Sequence, residues 1–317
     1  MTAYILGAGA SLTAGYPLAS KMLYGLSDLL SAQDASLPWV FWARNRIAQV
    51  RETFGSLDDF EGILGKLETF GHERVKPTGP VAYRQDPKDI IHDCTKQMQG
   101  EACDDADEAQ GFYPQYLRSD LIGAYREFFY QTEEQRVGTN VYDNFATQRL
   151  GVDSTVITLN YDVALERALR NAEKWDIGDG YGFTAFPNRA PSPTKIYKLH
   201  GSVNWFQTPM QEEPPPLIFP RDLAILGCSD LVDPRLGGGN VGVNNSGTFI
   251  LPDPQKQFYW ERFWVPLWTA AAEKLRTVSE VFIHGYSMPT ADSKARELLF
   301  RERQKGHCSE RALAKHE

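Results

Sequence analysis

The stretch MTAYILGAGAS at residues 1–11 joins a short apolar run to a cluster of small residues. Apolar side chains then recur at helical spacing, at Leu18, Met22, Leu23, Leu26, Leu29 and Leu30. This order predicts a strand, a glycine-rich turn and a helix. Glycines at such a turn let backbone amides approach a pyrophosphate, which the helix N-terminus also favours. The same glycines could instead serve helix packing alone.

Three later apolar runs also end in polar residues. Thr155–Leu159 ends at Asn160-Tyr161-Asp162, Lys195–Leu199 at His200-Gly201-Ser202, and Val281–Ile283 at Gly285-Tyr286-Ser287. Helical patterns follow the second and fourth predicted strands, the latter over Asp292–Phe300, and an amphipathic helix is predicted at Trp264–Thr277. Alternating strands and helices indicate a parallel α/β sheet. Every polar cluster follows the carboxyl end of a predicted strand, where ligands bind in such sheets.

The first two predicted strands are separated by residues 7–154, too many for one crossover connection. Trp39–Leu67 and Leu117–Leu150 have helical patterns, whereas Gly71–Gln115 and Asp233–Thr248 have the composition of loops. We therefore predict one domain over residues 1–317, with a Rossmann-like, mostly parallel sheet and an inserted helical subdomain. Residues 1–34 and 151–317 form the predicted core, and residues 35–150 form the insertion.

Composition narrows the class of protein. The formal net charge of -8 and the pI of about 5.4 disfavour sequence-independent nucleic-acid binding. No apolar stretch approaches the ~20 residues of a membrane helix, and the N-terminus lacks a signal-peptide pattern. The four cysteines form no CxxC pair, so a zinc ribbon is not expected. We expect a cytoplasmic protein without membrane or direct nucleic-acid partners.

Two of the polar clusters contain candidate catalytic residues. Asn160 and Asp162 could orient a ribose and a water molecule, although both residue types also cap helices. His200 follows a predicted buried strand and precedes a glycine, so it could face a cavity as a general base. A lone histidine in a strand is also compatible with a purely structural role.

Two enzyme classes fit the motifs poorly. The dehydrogenase fingerprint needs a third glycine, where Leu12 stands, and an acid at a strand end, whereas Asp28 lies in a predicted helix. The nucleophile elbow of serine hydrolases needs a glycine two residues after the serine, where Pro289 stands.

The four motifs in this order are GAGAS at residues 7–11, TLNYD at 158–162, KLHGS at 198–202 and GYSMP at 285–289. Together they resemble the SIR2-like family, and more closely its bacterial antiviral-defence domains than the deacetylase sirtuins. The resemblance implies that Asn160, Asp162 and His200 are catalytic. It also implies that the remaining polar and glycine positions bind NAD, namely Gly7, Ala8, Gly9, Ala10, Ser11, Gly201, Ser202, Gly285, Tyr286, Ser287 and Asp292.

One departure from the family favours one of its activities over the others. Sirtuin deacetylases carry paired CxxC motifs for a structural zinc, and this sequence has none. The resemblance therefore implies an NADase that uses NAD as its substrate without zinc, in abortive antiphage defence. Such an enzyme is expected to be gated by homo-oligomerisation or by a partner protein such as an ATPase. The alternatives are a sirtuin-like deacylase or ADP-ribosyltransferase, and a non-catalytic NAD or ADP-ribose sensor or scaffold.

Overall fold

The computed structural model describes residues 1–33, 38–58, 62–63, 125, 128–129, 132, 140–151, 153–184, 188–207, 218–220, 261–289 and 292–305. The predicted loops at 71–115 and 233–248 lie outside these residues, as does most of the predicted helix at 117–150. Contacts divide the chain into two compact units. One comprises Met1–Ala19, Phe129–Leu226 and Gly247–Glu317, and the other Ser20–Phe128 and Gly227–Ser246. The predicted domain boundaries at residues 34 and 150 stay a prediction.

The first unit contains the strands, which are β1 (Thr2–Leu6), β2 (Ser154–Thr158), β3 (Lys195–Lys198), β4 (Trp205–Gln207), β5 (Ile218–Pro220) and β6 (Glu280–His284). Four of them form one parallel sheet in the order β3-β2-β1-β6, with Leu6 opposite both Thr158 and His284. This all-parallel sheet with its helices confirms the predicted α/β, Rossmann-like fold. β4 and β5 form a separate antiparallel pair that the sequence analysis did not predict.

Burial along the strands follows their positions in the sheet. All five residues of β2 are buried, as expected for a central parallel strand rich in β-branched residues. In β6 only Val281 is buried, while Glu280, Phe282 and His284 are exposed. β6 is therefore the more solvent-exposed side of the described sheet.

Among the described residues of the first unit, three α-helices accompany these strands, namely α3 (Ala164–Asn171), α4 (Glu261–Thr277) and α5 (Ser293–Lys305). They lie where the sequence predicted helices, because their apolar residues recur at helical spacing. In α3 this spacing buries Leu165, Ala168 and Leu169. Trp264 of α4 is buried and contacts Trp205 of β4, with ring centroids 6.2 Å apart.

The segment after β1 differs from the predicted order of strand, turn and helix. The glycine turn leads into a short 3₁₀ helix at Ala8–Ala14, and the regular helix α1 begins only at Met22 and ends at Ala32. Gly15 ends the 3₁₀ helix with a φ of 89°, a left-handed conformation that suits glycine, and Pro17 follows. The predicted single helix was therefore wrong at its start, although its later apolar residues do lie in α1.

The second unit contains α1 and α2 (Pro38–Phe54). The guanidinium of Arg44 on α2 donates to the carbonyl of Leu30 at 2.6 Å and to that of Gln33 at 3.3 Å. Both carbonyls lie at the C-terminal end of α1, and the Leu30 carbonyl also accepts the amide of Gln33 at 3.3 Å. Within the described ranges, no helix is both long and apolar enough to cross a membrane.

Candidate active site

Two glycine turns meet at the carboxyl edge of the sheet. β1 leads into Gly7 and β6 leads into Gly285, and these two strands are neighbours although most of the chain lies between them. β2 and β3 lie on one side of β1 and β6 lies on the other, which makes the gap between β1 and β6 a topological switch point. Ligands of open α/β sheets bind outside the strand ends at such a point.

The two turns are packed directly on one another. The amide of Gly7 donates to the carbonyl of His284 at 3.0 Å, and the amide of Gly9 donates to the carbonyl of Gly285 at 2.8 Å. A Cβ atom at Gly7 would lie 2.6 Å from the Gly285 carbonyl oxygen, and one at Gly285 would lie 2.0 Å from the Ala10 nitrogen. Glycine is required at both positions because backbone fills the space that a side chain would need.

This packing limits how the first turn can bind an anion. The amides of Gly7, Gly9 and Ala10 all donate to carbonyls of the protein. The bonds between the two turns do not use the amide of Ala8, the first residue of the 3₁₀ helix. The structure thus shows that the glycines of this turn serve packing, which was one of the two roles that the sequence allowed. Phosphate binding by this turn stays a prediction.

Asn160 is held firmly at the end of β2. Its side-chain nitrogen Nδ2 lies 2.9 Å from Oγ of Ser11 and donates to the Gly7 carbonyl at 3.0 Å. Oγ of Ser11 also lies 2.8 Å from the hydroxyl oxygen of Tyr142, in a buried contact. Because both amide hydrogens of Asn160 are engaged, the direction of its carbonyl oxygen is fixed as well. Tyr142 was not predicted from the sequence.

Asp162 lies at the start of α3, where its Oδ1 accepts a hydrogen bond from the amide of Ala164 at 3.1 Å. This bond spans two residues just before the helix, whose N-cap position is Val163 and has no side-chain capping bond, so Asp162 is not the N-cap that the sequence allowed as an alternative role. Burial raises the pKa of the Asp162 carboxyl to about 6, with the charge of Glu166 adding to the rise and that of Lys198 opposing it. A hydrogen bond from Ser11 also lowers this pKa, so Asp162 and Asn160 share Ser11 as a neighbour.

A fully buried ion pair supports the loop that carries Asn160 and Asp162. Nζ of Lys198 lies 2.7 Å from Oε1 of Glu166, and both side chains have 0% exposure. The same ammonium donates to the backbone carbonyl of Asp162. The hydroxyl of Tyr181 donates to the same Glu166 oxygen at 3.2 Å. Sequence reasoning missed this pair because lysine and glutamate are rarely buried, and their spacing forms no motif.

His200 lies after β3 and is buried beside a second carboxylate. Its Nε2 lies 3.2 Å from Oδ1 of Asp292, and the hydroxyl of Tyr286 donates to Oδ2 of the same carboxylate at 2.9 Å. The His200 ring is 6.3 Å from the ring of Tyr161 and 6.4 Å from that of Trp268, measured between centroids. The structure therefore places Asp292, which was predicted to contact NAD, against the candidate catalytic histidine.

The remaining predicted residues lie around these groups. Gly201 has a φ of 87°, which lets the chain turn sharply after His200. Ser202 is buried, and its hydroxyl donates to the carbonyl of Tyr161 at 3.3 Å. Ser287 is exposed on the turn after β6. Tyr161 thus connects the two clusters, because it lies between Asn160 and Asp162 in the chain and against His200 in space.

The fold and this arrangement define the class of Rossmann-like proteins that bind a ligand at the carboxyl edge of a parallel sheet. Residues 154–306 match the family model described as the SIR2-like domain. This match confirms the resemblance at the level of the family: the chain carries a SIR2-like domain, and the SIR2-like family uses NAD. No curated protein matches the chain. Among the described residues, no group of three or more His, Cys, Asp or Glu side chains could hold a metal ion.

Proposed function

We propose that this protein hydrolyses NAD at the nicotinamide–ribose bond and releases nicotinamide and ADP-ribose. The observation that carries the proposal is the pair of polar clusters connected by Tyr161, with Asn160 in one and His200 in the other. Both clusters follow strands of the SIR2-like sheet, on the edge where ligands of such sheets bind.

The chemistry requires little acid catalysis from the protein. Nicotinamide leaves as a neutral base from a cationic ring, so the bond between its nitrogen and C1′ of the ribose breaks with the electron pair going to nicotinamide. The protein must hold the ribose, stabilise an electron-poor C1′ and place a water molecule for attack. A water oxygen forms the new bond to C1′, and its proton must be accepted by a base.

Our assignment of roles follows the geometry of the two clusters. The fixed carbonyl oxygen of Asn160 orients the water or the ribose hydroxyls, and His200 accepts the proton. With a pKa of about 6, Asp162 is mainly ionised at neutral pH, and it supports Asn160 through their common neighbour Ser11. A negative charge at this place also stabilises the electron-poor ribose.

The rest of the proposed NAD site lies on the turns. We place the pyrophosphate against the Gly7–Ser11 turn. The amide of Ala8 in this turn is not used in the hydrogen bonds between the two turns, and we propose it as a donor to the pyrophosphate. The turn of Gly285, Tyr286 and Ser287 takes the adenosine side. Gly201 and Ser202 complete the site by shaping the turn that carries His200.

The test compares purified wild-type protein with Asn160→Ala, using chromatography to follow nicotinamide and calorimetry to follow NAD binding. We expect the wild type to bind NAD and release nicotinamide, and Asn160→Ala to bind NAD with release reduced by on the order of 10²-fold or more. Asn144→Ala, an exposed asparagine in the same unit, is the matched control and should behave as wild type. Absence of NAD binding by the wild type would contradict the proposal.

We further propose that the activity serves abortive antiphage defence and is gated by self-assembly or by a partner protein such as an ATPase. The family resemblance supports this role, and an unrestrained NADase would exhaust the NAD of its own cell. Cells expressing the wild type should lose NAD after phage infection, whereas cells expressing His200→Ala should not. A constant cellular NAD concentration through every infection tested would contradict the defence role, but it would not contradict NAD hydrolysis by the purified protein.

A further inference from the structure

A carboxylate that is distant in sequence holds the imidazole of His200. Oδ1 of Asp292 lies 3.2 Å from Nε2 of His200 across a separation of 92 residues, and both side chains are 5% exposed. Oδ2 accepts a hydrogen bond from the hydroxyl of Tyr286 at 2.9 Å. Each carboxylate oxygen therefore has a polar neighbour in a setting largely shielded from water.

The backbone also fixes the position of this carboxylate. The amide of Asp292 donates to the carbonyl of Pro289 at 3.0 Å, and the carbonyl of Asp292 accepts from the amide of Arg296 at the start of α5. The backbone of Tyr286 is fixed in turn, because it packs tightly against Gly7. A Cβ atom added at Gly7 would lie only 2.6 Å from the Cα atom of Tyr286. The packing of the two glycine turns thus places Tyr286, which orients Asp292, which faces His200.

We infer that Asp292 is a positioning residue that keeps His200 in the tautomer protonated at Nε2, so that Nδ1 is the nitrogen that accepts the proton. An ionised carboxylate only accepts hydrogen bonds, so the nitrogen that faces it must carry the hydrogen. A neutral imidazole has one N–H, which leaves the lone pair on Nδ1. The tautomer assignment rests on the contact between Nε2 and Oδ1, and its catalytic meaning rests on the proposed function.

A purely structural carboxylate would make a different prediction. Its removal would lower the stability of the fold without changing kcat of the folded enzyme, because the ring would be held by its packing against Tyr161 and Trp268. The tautomer of His200 and the kcat of the folded variant, measured together, therefore separate a positioning role from a structural one.

The first experiment is nitrogen-15 NMR of the six histidines at mildly alkaline pH, where imidazole is neutral. His200→Ala identifies the His200 signals by their loss. We expect the Nε2–H tautomer in the wild type and in Asp28→Asn, an exposed matched control on α1, and a clear loss of that preference in Asp292→Asn. Finding Nδ1–H in the wild type, or an unchanged tautomer in Asp292→Asn, would overturn the inference.

The second experiment measures catalysis with the same variants and adds Tyr286→Phe, which keeps the ring and removes the hydroxyl. Asp292→Asn should lower kcat by on the order of 10² to 10⁴-fold while NAD affinity stays close to that of the wild type. Tyr286→Phe should lower kcat less. Equal losses in NAD affinity and turnover would overturn the positioning role. Failure of the wild type to bind NAD would refute the proposed function and leave the NMR result standing.

Discussion

The side-chain nitrogen of Asn160 lies 2.9 Å from Oγ of Ser11, although 149 residues separate the two in sequence. The contact joins the turn after β1 to the turn after β2, which are neighbouring parallel strands. Ser11 therefore does more than end a glycine-rich turn: it orients the amide that we assign to catalysis. The hydroxyl of Tyr142 is the third member of this cluster, 2.8 Å from the same Oγ.

Replacing Ser11 tests this arrangement. Ser11→Ala leaves one amide hydrogen of Asn160 without its acceptor, so we expect nicotinamide release to fall by about 10-fold and the free energy of unfolding by about 1–3 kcal/mol. Tyr142→Phe keeps the bond between Ser11 and Asn160 and should affect release less. Steady-state kinetics and urea denaturation measure the two effects, and equal rates for wild type and Ser11→Ala would contradict the role of Ser11.

The contact between the two glycine turns predicts a large effect of a single methyl group. Gly285→Ala places a Cβ 2.0 Å from the Ala10 nitrogen at a φ of 64°, so we expect a loss of at least about 2 kcal/mol in the free energy of unfolding. Gly15→Ala is the matched control in the same unit, because its φ of 89° is also left-handed and, among the described residues, its Cβ would meet only Thr132, at 3.4 Å. In thermal denaturation, Gly285→Ala should have a clearly lower Tm than Gly15→Ala. Equal losses of stability in the two variants would argue against close packing of the turns.

The buried pair of Lys198 and Glu166 predicts an asymmetry between single and double variants. Lys198→Met leaves a fully buried carboxylate without its cation and should cost about 3–5 kcal/mol of stability. The double variant Lys198→Met/Glu166→Leu removes both charges and should recover part of that loss. Chemical denaturation measures both, and a double variant less stable than the single one would show that the charges are not a coupled pair.

The pKa of Asp162 predicts how stability depends on pH. The fold raises this pKa from 3.8 to about 6, so between these values the folded state binds a proton that the unfolded state has released. The contribution of Asp162 to stability is therefore greatest at low pH and falls as the pH rises through this window. Asp162→Asn removes the effect, so the stability of the variant relative to wild type should rise across the window by on the order of 3 kcal/mol.

The control for this pH series is Asp153→Asn, which changes an exposed aspartate just before β2. Its stability relative to wild type should stay nearly constant between the same pH limits. A flat difference for Asp162→Asn as well would contradict a raised pKa at this carboxyl.

Much of the fold could be predicted because strand ends have local signals. Each strand of the parallel sheet lies within one or two residues of its predicted position, since an apolar run stops at glycine or at a polar residue. The start of α1 was misplaced because the apolar spacing begins at Leu18, whereas Gly15 and Pro17 interrupt the chain before a regular helix can form. The short strands β4 and β5 are too brief for periodicity to reveal.

The site was predictable only in part for a similar reason. Motifs indicated Asn160 and His200 because each follows a strand, but the partners of these residues come from elsewhere in the chain. The contact of Asp292 with His200 spans 92 residues, and that of Tyr142 with Ser11 spans 131. Such pairs depend on how the turns pack together, and no spacing in the sequence encodes them.

The most direct test of NAD hydrolysis measures nicotinamide release from NAD by purified wild type, His200→Ala and His284→Ala in parallel. The His284 side chain is exposed on β6, so this variant is the control for removing a histidine. We expect release by the wild type and by His284→Ala, and none above background by His200→Ala, with NAD binding retained in all three. Undiminished release by His200→Ala would contradict the assignment of His200 as the base on which the mechanism depends.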